Sequence, residues 1–149
     1  MTLGNQMDLH TLVIPTPVIS LLVPSNMVAE VIRPLPIQTI PDTEEWVRGF
    51  VIWRNQPVSV LSFEMLCKQP LMAEVARMVV FYPFPGRQAH EFLVLLSSEN
   101  PYSRQSPDFT DTDASRDIPF IASTIGHEGE EVAVPDFAAI AQILYFDAT

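Results

Sequence analysis

Three histidines, one cysteine and a group of aspartates hold most of the reactive chemistry in this sequence, and their spacing argues against a reaction centre. His10, His90 and His127 are far apart, and no two stand four residues apart as a helical metal pair requires. Asp108, Asp111, Asp113 and Asp117 supply oxygens that hard cations prefer. Their stretch lacks the glycine and the terminal bidentate glutamate of a calcium loop, so a solvated acidic loop is expected. Glu44/Glu45 and Glu130/Glu131 are adjacent pairs. Neighbouring side chains in an extended chain point to opposite faces, so neither pair can share a substrate as acid and base. Cys67 follows Met65 and Leu66 in an apolar run and is expected as a buried, inert thiol, because a nucleophilic thiolate needs a nearby cation. There is no G-x-S-x-G elbow, phosphate loop or G-x-G-x-x-G turn. The expectation is a protein that is not an enzyme and holds no cofactor and no metal.

Bulk properties narrow the partners. The 149 residues fit one domain, expected over 1–149 with its core within about 9–146. Apolar residues make up 48%, enough to bury a core without disulfides. The net charge is −10, with seven Arg and one Lys, Lys68. Nucleic-acid binding needs a basic stripe to displace counterions, so that class is excluded, and an anionic membrane surface is disfavoured. A single cysteine forbids an internal disulfide and suits a reducing compartment. The start lacks a positive n-region and no apolar run approaches the ~20 residues that span a bilayer, so a cytoplasmic protein without membrane insertion is expected.

The elements that position these residues must be short. Fourteen prolines against five glycines oppose long helices and suit strands joined by stiff turns. Residues 9–14 and 18–23 read as strands around Pro15 and Pro17. Ser25 and Asn26 offer a cap for a helical element over 27–32, stopped by Pro34 and Pro36, and 41–46 reads as a helical turn. Residues 47–53 and 58–61 form a hairpin across 54–57, with Asn55 suited to positive φ, and a short helix can start at Ser62. Within the first strand Phe50 and Trp53 lie on opposite faces; Val47 and Phe50 are expected in the core, while Trp53 suits a core or an interface equally. A second hairpin joins 75–82 to 91–96. Residues 97–117 form the longest loop. A third pair joins 118–125 to 131–134 across His127 and Gly129. Asp136 then caps a helix to residue 144 with Phe137, Ile140 and Leu144 on one face.

The run Val23-Pro24-Ser25-Asn26-Met27-Val28-Ala29-Glu30-Val31-Ile32, followed by Ile40-Pro41-Asp42-Thr43 and Val47-Arg48-Gly49-Phe50-Val51-Ile52-Trp53-Arg54-Asn55, resembles the CheW-like domain. That family runs V-x-E-V, a proline-containing spacer, then G-x-x-x-L-R-G and a returning strand; order and spacing agree over about 45 residues. The opening run and the stretch from Trp53 to Glu64 look closest to the ChpC-like branch of type IV pilus chemosensory systems. The sequence departs from the pattern at Asn55 (for Gly), Ser59 (for Pro) and Ser62 (for Asp). The resemblance implies an all-β fold of two small SH3-like five-stranded β-barrels sharing a core, with a few short helices. It implies a non-enzymatic adaptor between a methyl-accepting chemoreceptor and the regulatory domain of a CheA-type histidine kinase. Its partner-binding residues would be Glu30, Trp53, Arg54 and Asn55, with Glu30 and Arg54 paired near the partner-facing groove. The alternative is a small ligand-binding β-barrel or hydrolase-like domain; a polar-lined cavity would favour it, and a groove between two filled barrels the adaptor.

Overall fold

The computed structural model describes residues 10–83, 92–105, 110–112, 121–127, 130–136 and 139–140. The chain begins with β1 (His10–Ile14), β2 (Ser20–Pro24) and a 3-10 turn, Ser25–Met27. It continues through β3 (Val28–Ile32), β4 (Val47–Trp53), β5 (Gln56–Leu61), α1 (Phe63–Leu66), β6 (Arg77–Phe81) and β7 (Leu93–Ser97). It ends with β8 (Tyr102–Gln105), β9 (Thr110–Thr112), β10 (Ile121–His127) and β11 (Glu130–Pro135). These strands make two sheets, one ordered β8-β1-β2-β11-β10-β9 and the other β3-β6-β7-β5-β4. The first two and last four strands thus build the first sheet, and the middle five the second.

The packing follows from β6 and β7, which are apolar on consecutive positions rather than alternate ones. A continuous apolar run belongs to a strand covered on both faces. Val79, Phe81, Leu93 and Leu95 face the first sheet and join Ile14, Leu21, Val23 and Ala133 in a shared core. Met78, Val80, Val94 and Leu96 face the other way and meet Val51, Trp53, Val58 and Val60 in an inner cluster. Each such side chain removed from water contributes roughly 1.5–3 kcal/mol before conformational entropy is set against it. Ala29 and Ile32 on the edge strand β3 touch the same inner cluster as Val51 and Trp53 on the opposite edge β4, so the second sheet is curled.

Among the described residues the curl is not completed by a ladder. The expected architecture therefore holds as two sheets around a shared core, whereas closed five-stranded barrels are not seen; the first sheet has six strands. The reason lies in the segment between β3 and β4. Pro34 and Pro36 carry no amide hydrogen, so the segment cannot pair continuously. It makes one bridge, in which Gln38 N–H donates to Phe50 O at 2.8 Å and Phe50 N–H to Gln38 O at 2.9 Å. Leu35 and Ile37 pack against the inner cluster from this segment.

Three other expectations are corrected. Residues 28–32 form β3 rather than a helix: Val28, Val31 and Ile32 are β-branched, and pairing with β6 outweighs the Ser25 cap, leaving a single 3-10 turn. Residues 41–46 form turns, with Asp42 at φ 62 and Val47 N–H donating to Glu44 O at 3.0 Å. The stretch 97–117 contains β8, which pairs with β1, and β9, which pairs with β10. Asp111 lies in β9, while Asp108, Asp113 and Asp117 lie outside the described residues. The three expected hairpins are present, each antiparallel, as is the pairing of β1 with β2. At the far end Asp136 Oδ1 accepts Ala139 N–H at 3.1 Å and Ile140 packs into the shared core, as the capping expectation requires. Phe137 and Leu144 lie outside the described residues.

Gly49 is where the bridging segment comes nearest to β4. Its φ is +130, and a Cβ there would collide with the Gln38 carbonyl. Gly49→Ala is expected to displace the 34–38 segment and lower the denaturation midpoint markedly, whereas Ser59→Ala on the exposed face of β5 should leave it nearly unchanged. A pair of urea melts with equal midpoints would contradict this packing.

Candidate functional site

The β4–β5 hairpin turns on two residues, Arg54 and Asn55, with φ of 49 and 65. Both lie in the left-handed region, which a two-residue type I′ turn demands. Asn tolerates that region, and Arg does so at a cost of about 1 kcal/mol. The turn sends the neighbouring side chains in opposite directions. Trp53 points inward and is 4% exposed, whereas Arg54 and Asn55 point into solvent. This decides the earlier question in favour of Trp53 as a core residue. Phe50 is only half-buried, contrary to expectation. Val47 is also only half-buried and packs on the shared core, because a bulge between Val47 and Gly49 turns the strand over before Val51 and Trp53 enter the inner cluster.

Glu30 reaches this turn from the opposite edge of the sheet. A register shift between Val28 and Glu30 re-aims β3 there. Trp53 Nε1–H donates to Glu30 Oε1 at 2.9 Å, and Arg54 Nη2 donates to the same oxygen at 3.3 Å. The Arg54 guanidinium lies 4.5 Å above the centre of the Trp53 ring. Two further aromatics continue the stack: the Phe92 ring is 5.0 Å from Trp53 and the Tyr82 ring 5.8 Å from Phe92. Glu30, Trp53 and Arg54 are therefore brought together, and Asn55 adjoins them as the second turn residue. Tyr82 and Phe92 were not anticipated; they lie at facing ends of β6 and β7, so only the strand pairing reveals them.

The contacts differ in worth. The side chains of Arg54 and Glu30 are 64% and 43% exposed, so their ion pair is worth about 0–1 kcal/mol. The Trp53 N–H belongs to a buried residue, and leaving it without an acceptor costs about 1–3 kcal/mol. Glu30 thus serves the fold mainly through Trp53, and holds Arg54 as a stacked, exposed cation.

The other polar cluster lies at α1. Ser62 Oγ accepts Met65 N–H at 3.2 Å, so the hydroxyl caps the first turn of α1. Glu64 is fully buried; its Oε2 accepts Met72 N–H at 2.9 Å, and its Oε1 has no hydrogen-bond partner among the described residues. Burial and, after it, the Glu64 charge push the Cys67 thiol from 9.0 up to about 11. A thiol held protonated in this way is a poor nucleophile. Among the described residues no group of His, Cys, Asp and Glu is placed to hold a metal. His10 opens β1 and His127 ends β10, and His90 lies outside the described residues.

Comparison with known proteins places these features in context. The model of the CheW-like domain matches residues 18–100, from the approach to β2 through the whole second sheet. The scaffolding protein TtCheW from Thermoanaerobacter tengcongensis superposes with a TM-score of 0.69 at 12% identity, over 87% of this chain and 84% of that one. At that identity the likeness is one of fold. No curated protein matches the sequence.

Two outcomes are expected of the site itself. Glu30→Ala should cost about 1–3 kcal/mol in a denaturant melt, Arg54→Ala less than about 1 kcal/mol, and Glu30→Gln, which can still accept from Trp53, should fall between them. Cys67 should resist a thiol reagent at about pH 8 and react fully once the protein is unfolded. With the thiol raised from 9.0 to about 11, stability is unaffected below pH 9 and falls between 9 and 11, where the unfolded chain ionises first. A Cys67→Ala variant should lose that alkaline decline.

Proposed function

This chain belongs to the CheW-like domain family, and from that footing we propose that it is a non-enzymatic chemosensory adaptor. It holds a methyl-accepting chemoreceptor against the regulatory domain of a CheA-type histidine kinase, in the cytoplasm, with residues 1–149 acting as one CheW-like domain. The pathway we assign is one controlling type IV pili and twitching motility, on the strength of the ChpC-like look of Val23 to Ile32 and Trp53 to Glu64.

One observation carries the reading. The matched stretch contains the Glu30–Trp53–Arg54 cluster, which presents an arginine in solvent at a hairpin tip that a buried tryptophan anchors. Rigid anchoring of an exposed Arg suits recognition, since the guanidinium keeps further N–H donors open for a partner and loses little entropy on binding. The interior of the curled sheet is packed with Val51, Trp53, Met78, Val80, Val94 and Leu96, which supports the adaptor over a ligand-binding or hydrolase-like barrel. Asn55 contributes by keeping the turn that aims Arg54.

Co-precipitation of the purified protein with the cognate kinase and receptor fragments tests the proposal; recovery of neither would sink it. Arg54→Ala is expected to weaken binding about thirtyfold or more, equivalent to about 2 kcal/mol, with little change in the thermal melt. The exchange Glu30→Arg with Arg54→Glu should restore binding only if the two residues act as a pair.

A further inference from the structure

Glu30 uses one of its two carboxylate oxygens. Oε1 accepts from both Trp53 and Arg54, and Oε2 takes no hydrogen bond among the described residues. The bond from the buried indole fixes the carboxylate, so Oε2 is an acceptor held in place before any partner arrives. The same indole links the carboxylate to a run of tilted aromatic rings, with Phe92 5.0 Å from Trp53 and Tyr82 5.8 Å from Phe92. Trp53 is buried, Phe92 is half-buried and Tyr82 is 48% exposed. The faces of such rings are electron-rich and attract cations. Arg54 is already stacked on Trp53 and paired with Oε1, so it does not occupy the Tyr82 end. The chain as a whole carries a net charge of −10, a field that draws basic segments and repels acidic ones.

We infer that Glu30 Oε2, Phe92 and Tyr82 form a receptor for a cationic side chain, a lysine or arginine in a basic segment of the partner. The ammonium or guanidinium head meets Glu30 Oε2, and the aliphatic stem lies along Phe92 and Tyr82. This rests on the adaptor reading of the same hairpin and adds the chemistry of what docks there. An acidic segment at this end would face a carboxylate, two ring faces and the overall negative field together.

The experiment is a titration of the purified chain with the cognate kinase regulatory domain and with the receptor cytoplasmic fragment, each at low and at high salt. For whichever binds, Glu30→Gln and Tyr82→Ala should each weaken binding about tenfold or more, while Tyr82→Phe, which keeps the ring face, stays near wild type. Glu30→Gln should also flatten the salt dependence, because it removes the charge that the partner's cation meets. The melts of Tyr82→Ala and Glu30→Gln separate binding from folding. Wild-type binding to neither probe overturns the adaptor reading and this inference with it. Strong wild-type binding that is unchanged in both variants overturns only this inference, and so does tighter binding by Glu30→Gln, which would mark an acidic partner segment instead.

Discussion

Strands β6 and β7 impose the governing constraint on this molecule, because both of their faces must be kept from water. One apolar face can be covered by a neighbouring sheet, and here it is, by Ile14, Leu21, Val23 and Ala133. The second face has no layer left to cover it, so the sheet covers itself by curling until its edge strands meet across Met78, Val80, Val94 and Leu96. Everything distinctive about the site follows from that curl. It brings β3 towards β4, although they are opposite edges, and so lets Glu30 reach Trp53.

Where the two edges meet, the chain uses three unlike contacts in place of a ladder. A proline-interrupted segment supplies the single Gln38–Phe50 bridge. A glycine at positive φ lets that segment come close. A carboxylate holds the indole of the facing strand. Edge strands left bare invite pairing with other chains, and here the bridging segment pairs with the β4 edge at Phe50 and packs closely at Gly49. Stability and recognition are thereby divided between neighbouring residues: Trp53 serves the first, and Arg54, one residue later, remains in water.

Much of this was legible in the sequence, for identifiable reasons. Local signals carried the β4–β5 hairpin, in which β-branched runs flank Arg54-Asn55, and the capped start of α1 at Ser62. The resemblance carried the Glu30–Arg54 pairing, which no local pattern contains. The failures have a common cause in tertiary pairing. Ser25-Asn26 looked like a helix cap because the competing partner of residues 28–32, strand β6, begins 45 residues further on. Phe50 looked like core because it is a large aromatic in an apolar strand, but it lies on the face opposite Trp53, and the inner cluster takes the face of Val51 and Trp53. Strands β8 and β9 were hidden in a polar stretch because they are held as edge strands by β1 and β10 rather than by apolar side chains of their own. Tyr82 and Phe92 could not be joined to the site without the register of β6 and β7.

The route of the chain through the two sheets also sets an order of assembly. Parallel pairing of β2 with β11 joins Ser20 to Val132, across more than a hundred intervening residues, and the entropy of closing so long a loop must be met before any bond between them forms. The five strands of the second sheet are consecutive in sequence and need no such closure. During synthesis from the amino terminus, the curled sheet and its hairpin tip emerge complete while the last strands of the other sheet are still in the ribosome. The surface assigned to recognition is thus the older part of each molecule, present on a nascent chain whose other half is still waiting for its final strands.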